Sequence, residues 1–270
     1  MGPILFHIEN AIGFITLNRP DKLNSFNREM ALMLQSVLDD CRSNEVRCIY
    51  LTGAGKGFCA GQDLAEVAPS HPNSYRDPAP AGEETVTMQR ILSEHYNPIV
   101  TRIRNLEKPV VAAVNGVAAG AGANIALCCD IVVASQSASF IQAFSKIGLI
   151  PDSGGTHTLP RLIGWQKAGA LMMLGDKVSA TDAEKMGMVY KVFPDETFTI
   201  ESGKIAATLA QMPTKGLAYT KHLLNKSFTN TFEQQLKEED VFQQKAAATA
   251  DYKEGVRAFL EKKIPVFKGE

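Results

Sequence analysis

The sequence predicts an α/β protein: a core of short buried strands that each feed a helix, followed by a helical C-terminal region. Three observations carry this. Apolar runs of strand length end in glycine-rich turns at two places, and each turn opens a helical pattern. From Thr181 onward the apolar spacing is almost wholly helical. The chain has 270 residues and 45% hydrophobic content, enough to bury one large core. The expected division is a core domain over residues 1–195 and a helical region over 196–270.

The elements follow in order. Residues 4–8 and 12–17 alternate around Glu9-Asn10-Ala11 and read as a β-hairpin. Asn18-Arg19-Pro20-Asp21-Lys22 breaks the strand. Phe26, Met30, Met33, Leu34, Val37 and Cys41 recur at helical spacing, which predicts a helix over 27–43. Residues 48–52 form a buried strand closed by Gly53-Ala54-Gly55. The proline- and glycine-punctuated stretch 66–84 reads as a long, mobile surface loop or lid. A helix over 84–106 follows, with a bend near Pro98. Residues 109–114, 131–134 and 139–141 are further strands. Helices at 181–186, 202–211, 214–226, 231–247 and 251–262 complete the chain, with one strand at 188–192 among them.

Composition excludes several classes. A net charge of −1 gives no case for nucleic acid as the main partner. No apolar run is long enough to cross a bilayer, and no basic-then-apolar leader opens the chain. Five cysteines without a CxxC spacing fit reduced thiols and a cytoplasmic location better than a disulfide framework. The histidines are scattered without ligand spacing, which argues against a metal site. Ser153 does not sit in a Gly-x-Ser-x-Gly elbow, which argues against a serine hydrolase.

The candidate site rests on three segments: Phe58-Cys59-Ala60-Gly61-Gln62-Asp63, Ala119-Gly120-Ala121-Gly122-Ala123 and Leu149-Ile150-Pro151-Asp152-Ser153-Gly154-Gly155. Neither glycine turn completes a P-loop or a dinucleotide fingerprint. Tight turns after buried strands are one reading of them. The sharper reading is that glycine lets backbone N–H groups converge on one oxygen, as in an oxyanion hole. Asp152 also has two readings: a turn or helix-capping aspartate, or a base desolvated by Phe144, Ile147, Leu149 and Ile150. His95-Tyr96-Asn97 reads as helix packing or as a source of a hydroxyl or amide for a substrate. Lys262 and Lys263 read as a solvated helix end or as phosphate contacts.

With these residues in view, the chain resembles the crotonase (enoyl-CoA hydratase/isomerase) superfamily over nearly its whole length. The anchors include Leu17-Asn18-Arg19-Pro20, Cys59-Ala60-Gly61-Gln62-Asp63-Leu64, Asn115-Gly116-Val117-Ala118-Ala119-Gly120 and Gly148-Leu149-Ile150-Pro151. The resemblance implies a spiral of ββα units, a helical trimerisation region and a homotrimer or homohexamer. It implies an acyl-CoA thioester substrate, with no cofactor beyond the CoA that the substrate carries. It assigns the oxyanion N–H groups to Gln62 and Ala121. It places Lys22 and Leu23 beside the CoA nucleotide, and Phe259 and Lys262 at the adenine and phosphate end. Ala60, Asp63, Leu64, Gly120, Tyr96, Asn97 and Phe144 are the other residues expected on the substrate side.

One departure matters. Hydratases of the family use two glutamates, and Asn124 and Phe144 stand at those positions. The resemblance therefore implies poor hydration and leaves Asp152 as the base, as in isomerase branches and an aryl-CoA dehalogenase branch. In Asn24-Ser25-Phe26-Asn27, Tyr96-Asn97-Pro98, Ala143-Phe144-Ser145-Lys146 and Leu149-Ile150-Pro151-Asp152 the chain resembles the branch that isomerises ring 1,2-epoxyphenylacetyl-CoA in bacterial phenylacetate breakdown. A hydratase or Δ3-Δ2 isomerase of aliphatic enoyl-CoA thioesters, a hydrolytic dehalogenase and a non-catalytic acyl-CoA-binding protein remain as alternatives.

Overall fold

The computed structural model describes residues 2–67 and 90–270. The loop expected over 66–84 and the start of the helix expected at 84 fall almost entirely outside these residues. Strands β1 (Ile4–Glu9) and β2 (Ile12–Leu17) form the antiparallel hairpin. Asn10 and Ala11 take the left-handed backbone that such a tight turn requires. Helix α1 (Arg28–Asp40) follows; the Asn27 side chain accepts a hydrogen bond from the Met30 N–H at 3.0 Å and caps it.

From there the chain repeats one move. A long strand joins one sheet, a three-residue strand joins a second sheet, and a helical segment returns. The long strands are β3 (Cys48–Gly53), β5 (Val110–Val114) and β7 (Ile131–Ser135). The short partners are β4 (Gly57–Cys59), β6 (Val117–Ala119) and β8 (Ser139–Ile141). Strands β9 (Lys177–Ser179) and β10 (Lys191–Phe193) close the two sheets. The larger runs β1-β2-β3-β5-β7-β10 and the smaller β4-β6-β8-β9. Both are parallel apart from β1 with β2 and β8 with β9.

The helical segments of the repeat are α2 (Leu64–Val67), a π-helical turn Ile91–Tyr96 running into α3 (Asn97–Asn105), α4 (Ala121–Leu127) and α5 (Gly155–Ile163). Then come α6 (Trp165–Leu174), α7 (Ala180–Lys185), α8 (Phe198–Gln211), α9 (Thr214–Lys226), α10 (Phe232–Ala247) and α11 (Ala250–Leu260).

The large sheet is buried on both faces, so its parallel strands read as unbroken apolar runs. Val110, Ala112 and Val114 belong to the main core together with Met30 and Leu34 of α1. The alternate residues Val111 and Ala113 face Phe198, Ala206 and Ala210 of α8 in a second core. Helix α8 thus covers the sheet that α1 covers from the other side.

Two expectations change in detail. Where a bend is expected near Pro98, the structure has a π-helical turn, Ile91–Tyr96, just before it. The Asn97 N–H reaches the Leu92 carbonyl in π fashion, and Pro98 sits in the first turn of α3, where its missing N–H leaves no bond unmade. The strand expected over 188–192 is Lys191–Phe193 instead, with Met188 and Val189 buried as a turn into it. Among the described residues, no helix is long and apolar enough to cross a membrane.

Candidate active site

The first glycine turn is held rigidly from below. Asn24 is fully buried, with its amide donating to the carbonyls of Ala54 and Gly57 at 2.9 and 2.8 Å. The Ala60 N–H donates to the Leu23 carbonyl (2.9 Å), Phe26 N–H to Gly61 (2.7 Å) and Asp63 N–H to Phe26 (2.8 Å). Arg19 pairs with Asp63 at 2.8 Å; this contact holds the Asp63 carboxyl below its usual range. Gly61 has φ +93°, and a β-carbon there would sit 3.0 Å from the Ala119 carbonyl and 3.6 Å from the Ala121 nitrogen. The two turns therefore touch, and glycine is what lets them.

The second turn closes at Gly120, with φ 53° and ψ −129°, a conformation open in practice only to glycine. Its N–H donates to the Ile141 carbonyl at 2.9 Å. Ala121 then starts α4, where first-turn N–H groups have no intrahelical partner. Among the described residues, the N–H groups of Gln62 and Ala121 donate to no protein acceptor, while those of Ala60, Asp63 and Gly120 are engaged.

Asp152 does not cap α5. The N-cap is Gly154, and no side chain bonds to that helix end. Burial pushes the Asp152 carboxyl up to about 6, against the Ser153 hydroxyl, which donates to its Oδ1 at 2.8 Å and lowers it. Its backbone is fixed as well: the carbonyl accepts from the Asn124 Nδ2 at 2.9 Å and from the Gly155 N–H at 2.8 Å.

One cavity of about 200 Å³ gathers these parts. Gln62, Ala121 and Asp152 line it together, with Ala60, Leu64, Tyr96, Gly120 and Phe144. Ile91, Ile147 and Leu149 complete the apolar side, Lys146 also lines the cavity, and Asp152 is the only carboxylate among the described lining residues. Among the described lining residues there is no histidine, the base that a dehalogenase reading would need. Ile150, expected as a wall, is 81% exposed and points away, while its neighbour Leu149 lines the cavity.

Other expected residues lie elsewhere in the chain. Asn97 is exposed and does not line the cavity, because the π-helical turn ends at Tyr96 and rotates Asn97 outward. Lys22 ends a 3-10 turn, and Leu23 follows it as the backbone partner of Ala60; both flank the first turn rather than line the cavity, as does Asp63. Phe259 lies in the last turn of α11 and Lys262 just beyond it, with Phe259 82% exposed in a separate groove alongside Tyr252, Val256 and Phe267. Within one chain they do not approach Asp152. A larger cleft of about 530 Å³ lies by Arg42, Arg47 and Lys268 and shares no lining residue with the Asp152 cavity. Arg47 is engaged there by Thr214 and by the carbonyls of Met212 and Phe267.

Tyr96 is buried, and its hydroxyl donates to the Gln62 Oε1 at 2.7 Å. Burial holds that hydroxyl far above its usual pKa, so it is a fixed donor rather than a proton carrier. The Gln62 Nε2 in turn reaches Glu66 at 2.9 Å. Sequence reasoning treats the Gln62 side chain as indifferent and assigns no contact to Glu66, Gln142 or the Ser153 hydroxyl; these are tertiary contacts with no local signature. Among the described residues, no cluster of three His, Cys, Asp or Glu side chains is arranged to hold a metal.

A family model for enoyl-CoA hydratase/isomerase matches residues 7–270. The chain is 47% identical over 268 residues to the 1,2-epoxyphenylacetyl-CoA isomerase of Escherichia coli K12, spanning 99% of this chain and 98% of that one. It is 40% identical over 266 residues to a Rhodobacter capsulatus protein named "probable enoyl-CoA hydratase", with 98% of each covered. The crystal structure of enoyl-CoA hydratase from Bacillus anthracis superposes with a TM-score of 0.87 at 31% identity, covering 99% of this chain and all of that one. Glycine turns that meet edge to edge, a desolvated acid and this match along the chain have one reading: the protein belongs to the enoyl-CoA hydratase/isomerase (crotonase) family.

Proposed function

We propose that the chain is an acyl-CoA isomerase in which Asp152 carries one proton between two positions of the acyl group. The observation that carries this is a desolvated carboxylate, the only one among the described lining residues, poised at about 6 beside two undonated N–H groups. The thioester carbonyl oxygen sits between the N–H groups of Gln62 and Ala121. As the acid proton leaves the acyl chain for Asp152, negative charge grows on that oxygen and the two donors stabilise it; each is worth about 10²–10³ in kcat. Asp152 then returns the proton at another carbon. An isomerisation adds and removes no atoms, so one carboxylate suffices.

Hydration asks for more: a held water and a second acid-base group. Phe144 has no such group. Asn124 is fully buried with both ends of its amide occupied, so it cannot hold the water either. The proposed substrate is ring 1,2-epoxyphenylacetyl-CoA, rearranged to the oxepin thioester. A cavity walled by Ile91, Phe144 and Leu149 suits a ring and excludes attacking water. Shifting a β,γ double bond to the α,β position follows from the same chemistry. No metal or redox cofactor is proposed, since CoA arrives with the substrate.

The proposed assembly is a homotrimer or a dimer of trimers in the cytoplasm. Exposed Trp165, Met173, Phe232 and Phe259 support association, and five buried, unpaired cysteines suit a reducing compartment. In such an assembly Phe259 and Lys262 meet the CoA nucleotide bound by a neighbouring subunit. The test is ultraviolet absorbance with ring-epoxide, β,γ-enoyl and crotonyl thioesters, for the wild type and Asp152→Asn. Turnover of the first two, little hydration of the third, and a variant that binds but does not turn over are expected. Equal turnover by the two proteins would remove Asp152 from the mechanism.

A further inference from the structure

Asn124 is completely buried in α4, 28 residues before Asp152, and its amide has two partners. Nδ2 donates to the Asp152 backbone carbonyl at 2.9 Å, and Oδ1 accepts from Gln142 Nε2 at 2.8 Å. The orientation is forced. A carbonyl only accepts, so Asn124 must turn its NH₂ toward Asp152; its oxygen is then left for a donor, which Gln142 supplies. Gln142 Oε1 is buried and has no partner among the described residues, so the side chain's one contact here is through its nitrogen. Gly155 leaves room for the arrangement, since a β-carbon there would collide with the Asn124 amide.

The loop needs such a clamp. Ser153 has φ +52°, a left-handed conformation unfavourable for a residue with a side chain, and Gly154 follows at +77°. Without restraint the turn would relax and swing the carboxylate away from the cavity.

We propose that Asn124, oriented by Gln142, is a positioning residue that holds the Asp152 backbone so that its carboxylate faces the substrate cavity. The inference rests on Asp152 being the base. It gives the position that carries a glutamate in hydratases a different task, aligning the proton carrier rather than handling water.

The test compares wild type, Asn124→Ala, Gln142→Leu and, in parallel, Asp152→Asn, using steady-state turnover of a β,γ-enoyl thioester across pH. Asn124→Ala is expected to lower kcat about 100-fold, the scale of a misplaced reacting group, with KM nearly unchanged. Its acidic limb should move from about 6 toward the ordinary carboxylate value near 4, because a relaxed loop exposes the carboxyl. Gln142→Leu should move both quantities the same way by less. A purely structural role would lower the melting temperature and leave the acidic limb of the folded enzyme where it was; that result overturns the proposal. If Asn124→Ala does not fold, the Gln142→Leu limb decides alone: displaced supports the clamp, unmoved overturns it. Should Asp152→Asn keep full turnover, the base assignment fails instead, which separates the two failures.

Discussion

The group proposed to do the chemistry weakens the fold that carries it. Burial raises the Asp152 carboxyl from 3.8 to about 6. At about 1.36 kcal/mol per tenfold change in proton affinity, the ionised form costs the folded chain up to about 3 kcal/mol. The sign follows from the direction. The folded state holds this proton more tightly than the unfolded one, so the cost is absent below about pH 4, grows between 4 and 6, and is complete above 6. Asp152→Asn removes the charge and keeps an oxygen that can accept the Ser153 hydroxyl. The variant should therefore exceed wild type in stability by about 3 kcal/mol at pH 8 and by about half of that at pH 5. The figure is an upper value, because the carboxyl opens onto the cavity. Urea unfolding followed by circular dichroism measures it, with protein concentration fixed because association adds to apparent stability. An advantage of the same size at both pH values, or a variant weaker than wild type at pH 8, would refute the argument.

Other expectations are independent of that one. Gly61→Ala forces a β-carbon at φ +93° toward the Ala119 carbonyl and pushes the two turns apart; kcat should fall about 100-fold, and steady-state kinetics showing an unchanged kcat would mean the turns need not touch. Ser153→Ala removes the hydroxyl that favours the ionised carboxylate, so the acidic limb of kcat/KM should move above about 6; a limb that stays or falls counts against the hydrogen bond. Lys221 is buried on Asp130 (2.8 Å) and on the carbonyls of Ile103 and Lys108. Lys221→Met should cost about 2–3 kcal/mol in urea unfolding, less than for a wholly stranded charge because Asp130 keeps the Val110 N–H; a neutral change would show that this ion pair does not tie α9 to the core.

Much of the fold is legible in the chain because its main strands are long enough to declare themselves. Val110–Val114 is a five-residue apolar run stopped by Asn-Gly, and it becomes a strand buried on both faces. The short strands β4, β6 and β9 are three residues each and carry no period; only the sheet that pairs them makes them strands. Gln62, Ala121 and Asp152 stand out as glycine-flanked or isolated residues, and they meet in one cavity. The side chain of Gln62, held by Tyr96 and Glu66, does not stand out, because its partners come from another turn. Leu149 and Ile150 look equivalent in sequence, yet one lines the cavity and the other faces out, since a loop has no fixed side-chain period. Phe259 and Lys262 are placed by resemblance alone, and neither is among the residues that line the Asp152 cavity.

The glycine at 155 bears on position 124. A glutamate at 124 is one methylene longer than the asparagine it would replace, and the backbone of residue 155 already lies against that amide. Its carboxylate would also meet the Asp152 carbonyl, oxygen against oxygen with no hydrogen between them. Replacing Asn124 by glutamate alone should therefore not install a water-handling carboxylate in this cavity. The stretch bearing Asp152, the proposed proton carrier, would have to be displaced to admit it. The absence of a single methyl group at 155 thus couples two distant positions: what residue 124 can be is set by how closely the turn after Asp152 lies against it.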